Sequence, residues 1–244
     1  MTTRKRTTLA TAISSCLAML VAASTARAQA PGPTAAEILK LVRYSQSAKA
    51  QDFDGEIRDR AVKLLKVVPL KLTLSDKEVR FVFYDGDNRR KKADQIIILS
   101  LLDNRYKLEE IREGKRAELP AERFAEKIRG TDITYEDLAM RFLYWPNPVL
   151  LGEDRAKGGT AWKIRCKNPV ADGAYATVDV WVNQESGALM RMNGYDTAGK
   201  HVKSFEVDDV QRHEGAWILK KMIVRTHSGG KVKGNTYLSV DRPD

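Results

Sequence analysis

Residues 175–240 read YATVDVWVNQESGALMRMNGYDTAGKHVKSFEVDDVQRHEGAWILKKMIVRTHSGGKVKGNTYLSV, and this stretch decides the fold. It divides into five strand-like segments, roughly Tyr175 to Val182, Ala188 to Tyr195, His201 to Val210, Ala216 to Thr226 and Val232 to Val240, set apart only by turn sequences. Gly187, Gly199, Gly215 and the Gly229-Gly230 pair punctuate them, where glycine takes positive φ without steric cost. Connections this short cannot make parallel crossovers, so neighbours must pair as antiparallel hairpins. The pattern predicts a curved sheet with one apolar face, suited to holding something hydrophobic.

Upstream, the same rhythm continues in shorter pieces. Asp52 to Arg58 places Phe53, Gly55 and Ile57 on one face. Leu70, Leu72 and Leu74 alternate before Ser75-Asp76-Lys77, and Val79, Phe81 and Phe83 alternate after it, which reads as a hairpin. Asp85-Gly86-Asp87-Asn88 then turns the chain through the basic stretch Arg89 to Lys92 into the continuous apolar run Ile96 to Leu102, a strand expected to be buried on both sides. Tyr106 to Arg112 is its expected partner across Asp103-Asn104. Val149 to Gly152 and the alternating Thr160, Trp162, Ile164 and Cys166 add further strands.

Two helical blocks interrupt the strands. The first runs from Thr34 to about Ala50, with Thr34 as N-cap, Glu37 as its capping-box partner and Ile38, Leu41, Val42 and Ser45 as the buried stripe. In the second, Thr134-Tyr135-Glu136-Asp137 is an imperfect capping box, and Leu138, Met140, Phe142, Leu143, Tyr144 and Trp145 coat the following helix with apolar groups until Pro146 and Pro148 stop it. A helix so coated is sandwiched or covers something other than water. Helices in separate blocks beside about eleven strands define an α+β domain dominated by antiparallel sheet. So many strands in one sheet curl strongly, and the helices are too few for both faces. The expected architecture is a strongly curved antiparallel β half-barrel with helices covering the concave face.

The N-terminus reads as an export signal. Arg4, Lys5 and Arg6 precede the apolar stretch Leu9 to Ala23, and Ala26-Arg27-Ala28 is an A-x-A cleavage site, so residues 1–28 are expected to be removed. Ile13-Ser14-Ser15-Cys16 imitates the pattern of a lipid-modified cysteine only loosely, because the apolar run continues past Cys16. Cleavage lowers the formal net charge from +10 to +6, spread without a dominant block, which argues against nucleic acid as a partner. It leaves Cys166 as the only cysteine, expected as a buried, inert thiol with no internal disulfide. Residues 29–33 read as a short tether and residues 34–244 as a single domain, expected to be monomeric.

Gly130-Thr131-Asp132-Ile133-Thr134-Tyr135-Glu136-Asp137-Leu138, Trp181-Val182-Asn183 to Gly187, Tyr195-Asp196-Thr197-Ala198-Gly199-Lys200, Gly215-Ala216-Trp217 and Met222 stand in an order that resembles the outer-membrane lipoprotein-sorting proteins related to the periplasmic carrier LolA. The resemblance spans essentially the whole mature chain and is strongest to an uncharacterised branch. It implies a half-barrel closed by a helical lid, a periplasmic location and acyl chains of lipoproteins, or another lipid, as cargo moved towards the outer membrane. An inner-membrane transporter and an outer-membrane acceptor are the partners it implies. The lid-latching arginine of the better-known carriers matches no single position here. Relatives with a LolA-like fold that sense lipid or lipoprotein and report to a membrane partner carry a second domain, so the single-domain length favours a carrier.

The inward faces of the strands nominate a ligand-binding hydrophobic cavity: Leu72, Leu74, Phe81, Phe83, Tyr106, Leu108, Trp162, Ile164, Val178, Val180, Met190, Met192, Phe205, Val207, Met222 and Leu238. Leu138, Phe142 and Trp145 join them from the helical block, read as a lid only partly covered in the empty protein. Methionine and aromatic side chains suit a wall that adapts to variable chains. On the strand 216–226, Trp217, Leu219 and Ile223 oppose Ile218, Met222 and Val224 with little difference in polarity, and the resemblance alone favours Met222 inward. No catalytic residue, metal or organic cofactor is expected. His201, His213 and His227 lie in or beside expected turns without paired spacing, Asp208-Asp209 suits a bulge or edge, and no nucleophile elbow, P-loop or dinucleotide fingerprint occurs.

Overall fold

A computed structural model describes residues 32–45, 51–61, 64–75, 77–84, 92–102, 105–170, 172–213 and 216–241. The export signal and its cleavage site, most of the tether, and the turns at 85–88, 103–104 and 214–215 lie outside the described residues. After helix α1 (Ala35–Ser45), the strands in chain order are β1 (Gln51–Ala61), β2 (Leu64–Leu74), β3 (Glu78–Tyr84), β4 (Ala93–Leu102), β5 (Arg105–Arg112) and β6 (Lys115–Glu118). The short helix α2 (Tyr135–Ala139) precedes β7 (Val149–Ala156), β8 (Gly159–Lys167), β9 (Thr177–Asn183), β10 (Leu189–Tyr195), β11 (His201–His213), β12 (Ala216–Ser228) and β13 (Lys231–Val240).

Among the described residues, all thirteen strands belong to one open sheet of order β6-β5-β4-β3-β2-β1-β13-β12-β11-β10-β9-β8-β7. The sheet consists of two antiparallel meanders joined where β1 pairs β13, with Ile57 opposite Leu238. The strand count of about eleven therefore falls short. The clearest omission is β6, whose four residues are all exposed and carry no alternating pattern to read. Its charged side chains suit a sheet edge, where they discourage pairing with another chain.

Register shows which side chains share the covered face. Leu72 opposes Phe81 and Leu70 opposes Phe83; Phe81 opposes Ile97; and Leu99 opposes Leu108. In the other meander, Cys166 opposes Val178, Ile164 opposes Val180, Val180 opposes Met192, Met192 opposes Phe205, Phe205 opposes Val224, and Met222 opposes Leu238. Met222 and Val224 thus define the inward face of β12. The centre of β4 is buried on both sides, with Ile97, Ile98 and Leu99 at most 3 % exposed. Cys166 is fully buried, and burial pushes its thiol up to about 12.

Helix α1 forms with the expected cap: the Thr34 amide donates to Glu37 Oε2 at 2.8 Å and the Glu37 amide donates to Thr34 Oγ1 at 3.3 Å. The buried stripe is Ala35, Ile38, Leu39 and Val42, the i, i+3, i+4, i+7 set, whereas Leu41 is 60 % exposed. Leu39 takes the place given to Leu41, because the helical period sets residue 41 about 100° from 42, about 120° from 35 and about 160° from 39, on the solvent flank of the stripe.

Candidate functional site

The segment from Leu119 to Trp145 crosses the covered face of the sheet. Its first half packs Leu119, Phe124, Ile128, Ile133, Tyr135 and Leu138 against β1 to β5 and β12. Its second half, Phe142, Leu143 and Trp145, packs with α1 against β8, β9 and β10. Thr134 caps α2 as its sequence foretells, with the Thr134 amide donating to Asp137 Oδ2 at 2.8 Å and the Asp137 amide donating to Thr134 Oγ1 at 3.3 Å. The helix does not run on to Trp145. Met140 adopts left-handed backbone (φ 43°) and a 3-10 turn, Arg141–Tyr144, follows. This reversal folds Arg141 back onto Glu136, with Nε 3.0 Å from Oε1.

Beneath this segment lies an apolar pocket of about 70 Å³. Its lining includes seven of the residues nominated from sequence, Phe81, Leu138, Phe142, Met192, Phe205, Met222 and Leu238, together with Ile133, Asp137, Met140 and Leu189. Phe81 on β3 and Met192 on β10 are six strands apart in the sheet order. A flat sheet would separate them by ~29 Å, so a shared pocket requires the sheet to curl strongly around the segment.

All but one of the other nominated residues extend the same face without lining the pocket. Leu72, Leu74, Phe83, Tyr106 and Leu108 pack in the core on the β1–β5 side. Trp145, Trp162, Ile164, Val178 and Val180 pack on the β8–β10 side. Val207 is half-buried opposite Met222 but lies outside the pocket. Met190 points elsewhere and packs against Ala156, Ala161 and Trp181. A bulge between Leu189 and Arg191 inserts one residue, so Met190 leaves the face of Met192 and Leu189 replaces it in the pocket. The segment expected to act as a lid is not partly uncovered either, since Leu138, Phe142 and Trp145 are 6 %, 2 % and 7 % exposed.

Ionic contacts hold the segment down. Arg141, itself 3 % exposed, faces Glu136 and hydrogen-bonds Asp172, and its guanidinium lies over the rings of Phe124 and Trp145. Glu136 Oε2 accepts the Ala174 amide at 2.7 Å. Lys203 Nζ, reaching from β11, donates to Asp137 Oδ2 and to the Asp132 carbonyl, both at 2.7 Å, while the Tyr175 hydroxyl donates to Asp137 Oδ1 at 2.6 Å. Arg43 of α1 donates to the Leu143 carbonyl and stacks over Tyr144. Burial pushes the fully enclosed Glu136 carboxyl up to about 7, against the pull of the Ala174 amide and the Arg141 charge.

Gly173 is tied to this arrangement, because at its φ of +74° a Cβ would lie 2.6 Å from Glu136 Oε2. Gly173→Ala is expected to cost about 1–3 kcal/mol through backbone strain and displacement of Glu136, measured by denaturant unfolding.

The sequence could have yielded the polar contacts only in part. Charged residues among the apolar groups of 134–145 were visible, but their partners Asp172, Ala174 and Lys203 are distant along the chain. His201 and His227 do stand beside turns, at the start of β11 and near the end of β12, but they are not exposed. His201 and His227 are strand residues, half-buried and stacked with ring centroids 4.0 Å apart, with Ser204 Oγ 3.1 Å from His227 Nε2. Asp208 and Asp209 do sit at a bulge of β11, facing Lys221 at 3.1 Å and Lys220 at 2.7 Å.

A family model described as an uncharacterized protein matches residues 113–242, over half of the chain. No curated protein matches the sequence significantly. Among solved structures, a LolA superfamily protein from Nitrosomonas europaea is 15 % identical with a TM-score of 0.63, covering 87 % of this chain and 95 % of its own. A DUF1329 family protein from Desulfovibrio piger is 14 % identical with a TM-score of 0.65, covering 85 % and 91 %. A domain named for outer membrane lipoprotein sorting, from Vibrio parahaemolyticus, is 13 % identical with a TM-score of 0.66, covering 83 % and 89 %.

Proposed function

We propose a function from the premise that this chain belongs to the LolA-like family whose model it matches over residues 113–242: it is a periplasmic carrier that shelters the acyl chains of a lipoprotein, or of another lipid, for transfer towards the outer membrane. The observation that carries this reading is the convergence of inward side chains from β3, β10, β11, β12 and β13 on one apolar pocket beneath a separate covering segment. Met192 and Met222 in its wall suit chains of variable shape. At about 70 Å³ the pocket is far smaller than the ~300–1,000 Å³ of ordinary ligand sites. Cargo must therefore lift the segment 134–145, and the contacts of Arg141, Asp137 and Arg43 are what lifting breaks. The reading includes export by removal of residues 1–28, a half-barrel geometry and a non-catalytic role. It takes a membrane transporter as donor and an outer-membrane site as acceptor.

Hydrogen exchange tests the lid. Saturation with a long-chain fatty acid is expected to speed amide exchange across residues 138–145 and red-shift the emission of Trp145, since binding selects the lifted state. Unchanged exchange at saturation would refute the assignment of this segment as the lid.

A further inference from the structure

The inward face of the sheet changes character at one end. Along β4 the inward residues run Leu99, Ile97, Gln95, and along β5 Leu108, Glu110, Arg112, with Ile97 opposite Glu110 and Gln95 opposite Arg112. On β2, Lys66 continues the inward alternation of Leu70 and Val68. Lys66, Gln95 and Arg112, with Asp94 and Glu113 and with Arg123, Glu126, Lys127, Arg129 and Tyr135 of the covering segment, line a second cavity of about 760 Å³, more than ten times the apolar pocket.

Its floor is built. Gln95, Glu110 and Tyr135 are 3 %, 8 % and 3 % exposed. Gln95 Nε2 donates to Glu110 Oε1 at 2.6 Å and to the Tyr135 oxygen at 2.8 Å. Glu110 in turn anchors two guanidinium groups, Arg112 and Arg123, both at 2.8 Å. Burial alone raises the Glu110 carboxyl, but hydrogen bonds from Arg123 and Gln95 outweigh it and hold the group below the usual carboxylate range. Arg129 is fixed by Asp94, by the Tyr84 carbonyl and over the ring of Phe83. Lys66 donates to the Arg129 carbonyl, with no carboxylate among its described partners. Among the described residues, five cationic side chains line the cavity against three acidic ones, Asp94, Glu113 and Glu126. Guanidinium groups held in place by a buried acid are preorganised donors for a tetrahedral oxyanion.

The two cavities share the covered face. Phe81 lines the apolar pocket, and Phe83, two residues along the same strand, lies under Arg129 at the polar cavity. Building on the carrier reading, we propose that the polar cavity binds the phosphate-bearing headgroup of an amphiphile whose chains enter the apolar pocket. The cargo class is then an anionic phospholipid or a similarly phosphorylated lipid, rather than an acyl chain without a charged head.

Isothermal titration of the whole mature protein with dioctanoyl phosphatidic acid and with dioctanoylglycerol separates the two claims, because these ligands differ only in the phosphate. The phosphatidic acid is expected to bind at least tenfold more tightly, and Arg112→Gln and Lys66→Gln are each expected to shrink that ratio several-fold while leaving dioctanoylglycerol affinity unchanged. Both positions are exposed enough to substitute without unfolding, and Arg123 still pairs Glu110 in Arg112→Gln. Titration with inorganic phosphate distinguishes the source. Failure of free phosphate to compete supports the lipid headgroup, whereas full competition in the low millimolar range would overturn the amphiphile in favour of a free anion. Equal affinity for the two lipids overturns the headgroup site and leaves the carrier reading standing. Binding of neither lipid would sink the carrier reading, and with it this proposal.

Discussion

Arg141→Met is expected to destabilise the folded protein by about 3–5 kcal/mol, because it strips the buried Glu136 carboxylate of its cation and Asp172 of its guanidinium partner. The loss depends on pH in a defined direction. The folded pKa of Glu136 is raised from 4.5 to about 7, so the native state retains a proton that the unfolded chain has released above about pH 4.5. In the wild type this group makes stability fall as pH rises between those values, by on the order of 3 kcal/mol in total. Without Arg141 the charged carboxylate is less favourable still, so the variant is expected to lose more stability at pH 8 than at pH 5. Glu136→Gln should flatten the wild-type slope and recover part of the loss in the double variant. Denaturant unfolding of the four proteins at both pH values measures this; equal losses for Arg141→Met at pH 5 and pH 8 would remove Glu136 from the explanation.

The second large effect concerns the wall of the pocket. Met222→Glu places a carboxylate on a half-buried strand position that faces Leu238, Phe205 and the covering segment. In the empty protein the side chain turns its charge towards whatever solvent reaches the site, so the cost to stability is modest. With cargo in place the same charge must be desolvated against hydrocarbon, and fatty-acid affinity is expected to fall about 30- to 100-fold. Met190→Glu serves as the control, since Met190 packs against Trp181 away from the pocket and its charge should leave affinity unchanged. Fluorescence displacement with a labelled fatty acid reads both variants, and circular dichroism checks that they fold.

How far the molecule was legible depends on the range of each signal. Hairpin order in β9 to β13 follows from alternation and glycine punctuation, which are local, and the structure keeps it strand for strand. The capping of α1 and α2 is equally local, and both boxes form. The break at Met140 was not legible, because Leu138 to Trp145 is apolar on nearly every side, Arg141 apart, and carries no clear periodicity to lose. Met190 and Leu189 exchanged places for a similar reason: a bulge shifts the face by one residue, and nothing in Ala188 to Arg191 marks where it falls. The ionic latch and the polar end of the concave face depend on partners brought together by the sheet. Lys203 reaches Asp137 and Arg129 reaches Asp94 across the fold, separations that no window along the chain can see.

The central claim, that a hydrophobic chain occupies the space between the concave sheet and the segment 134–145, is tested most directly by titrating the mature wild-type protein with a fluorescent long-chain fatty acid and following energy transfer from Trp145. Saturable binding at one site, with transfer that falls in Trp145→Phe and is reversed by unlabelled lipid, is the predicted result. Non-saturable partitioning, or no transfer from Trp145 at any concentration, would contradict it.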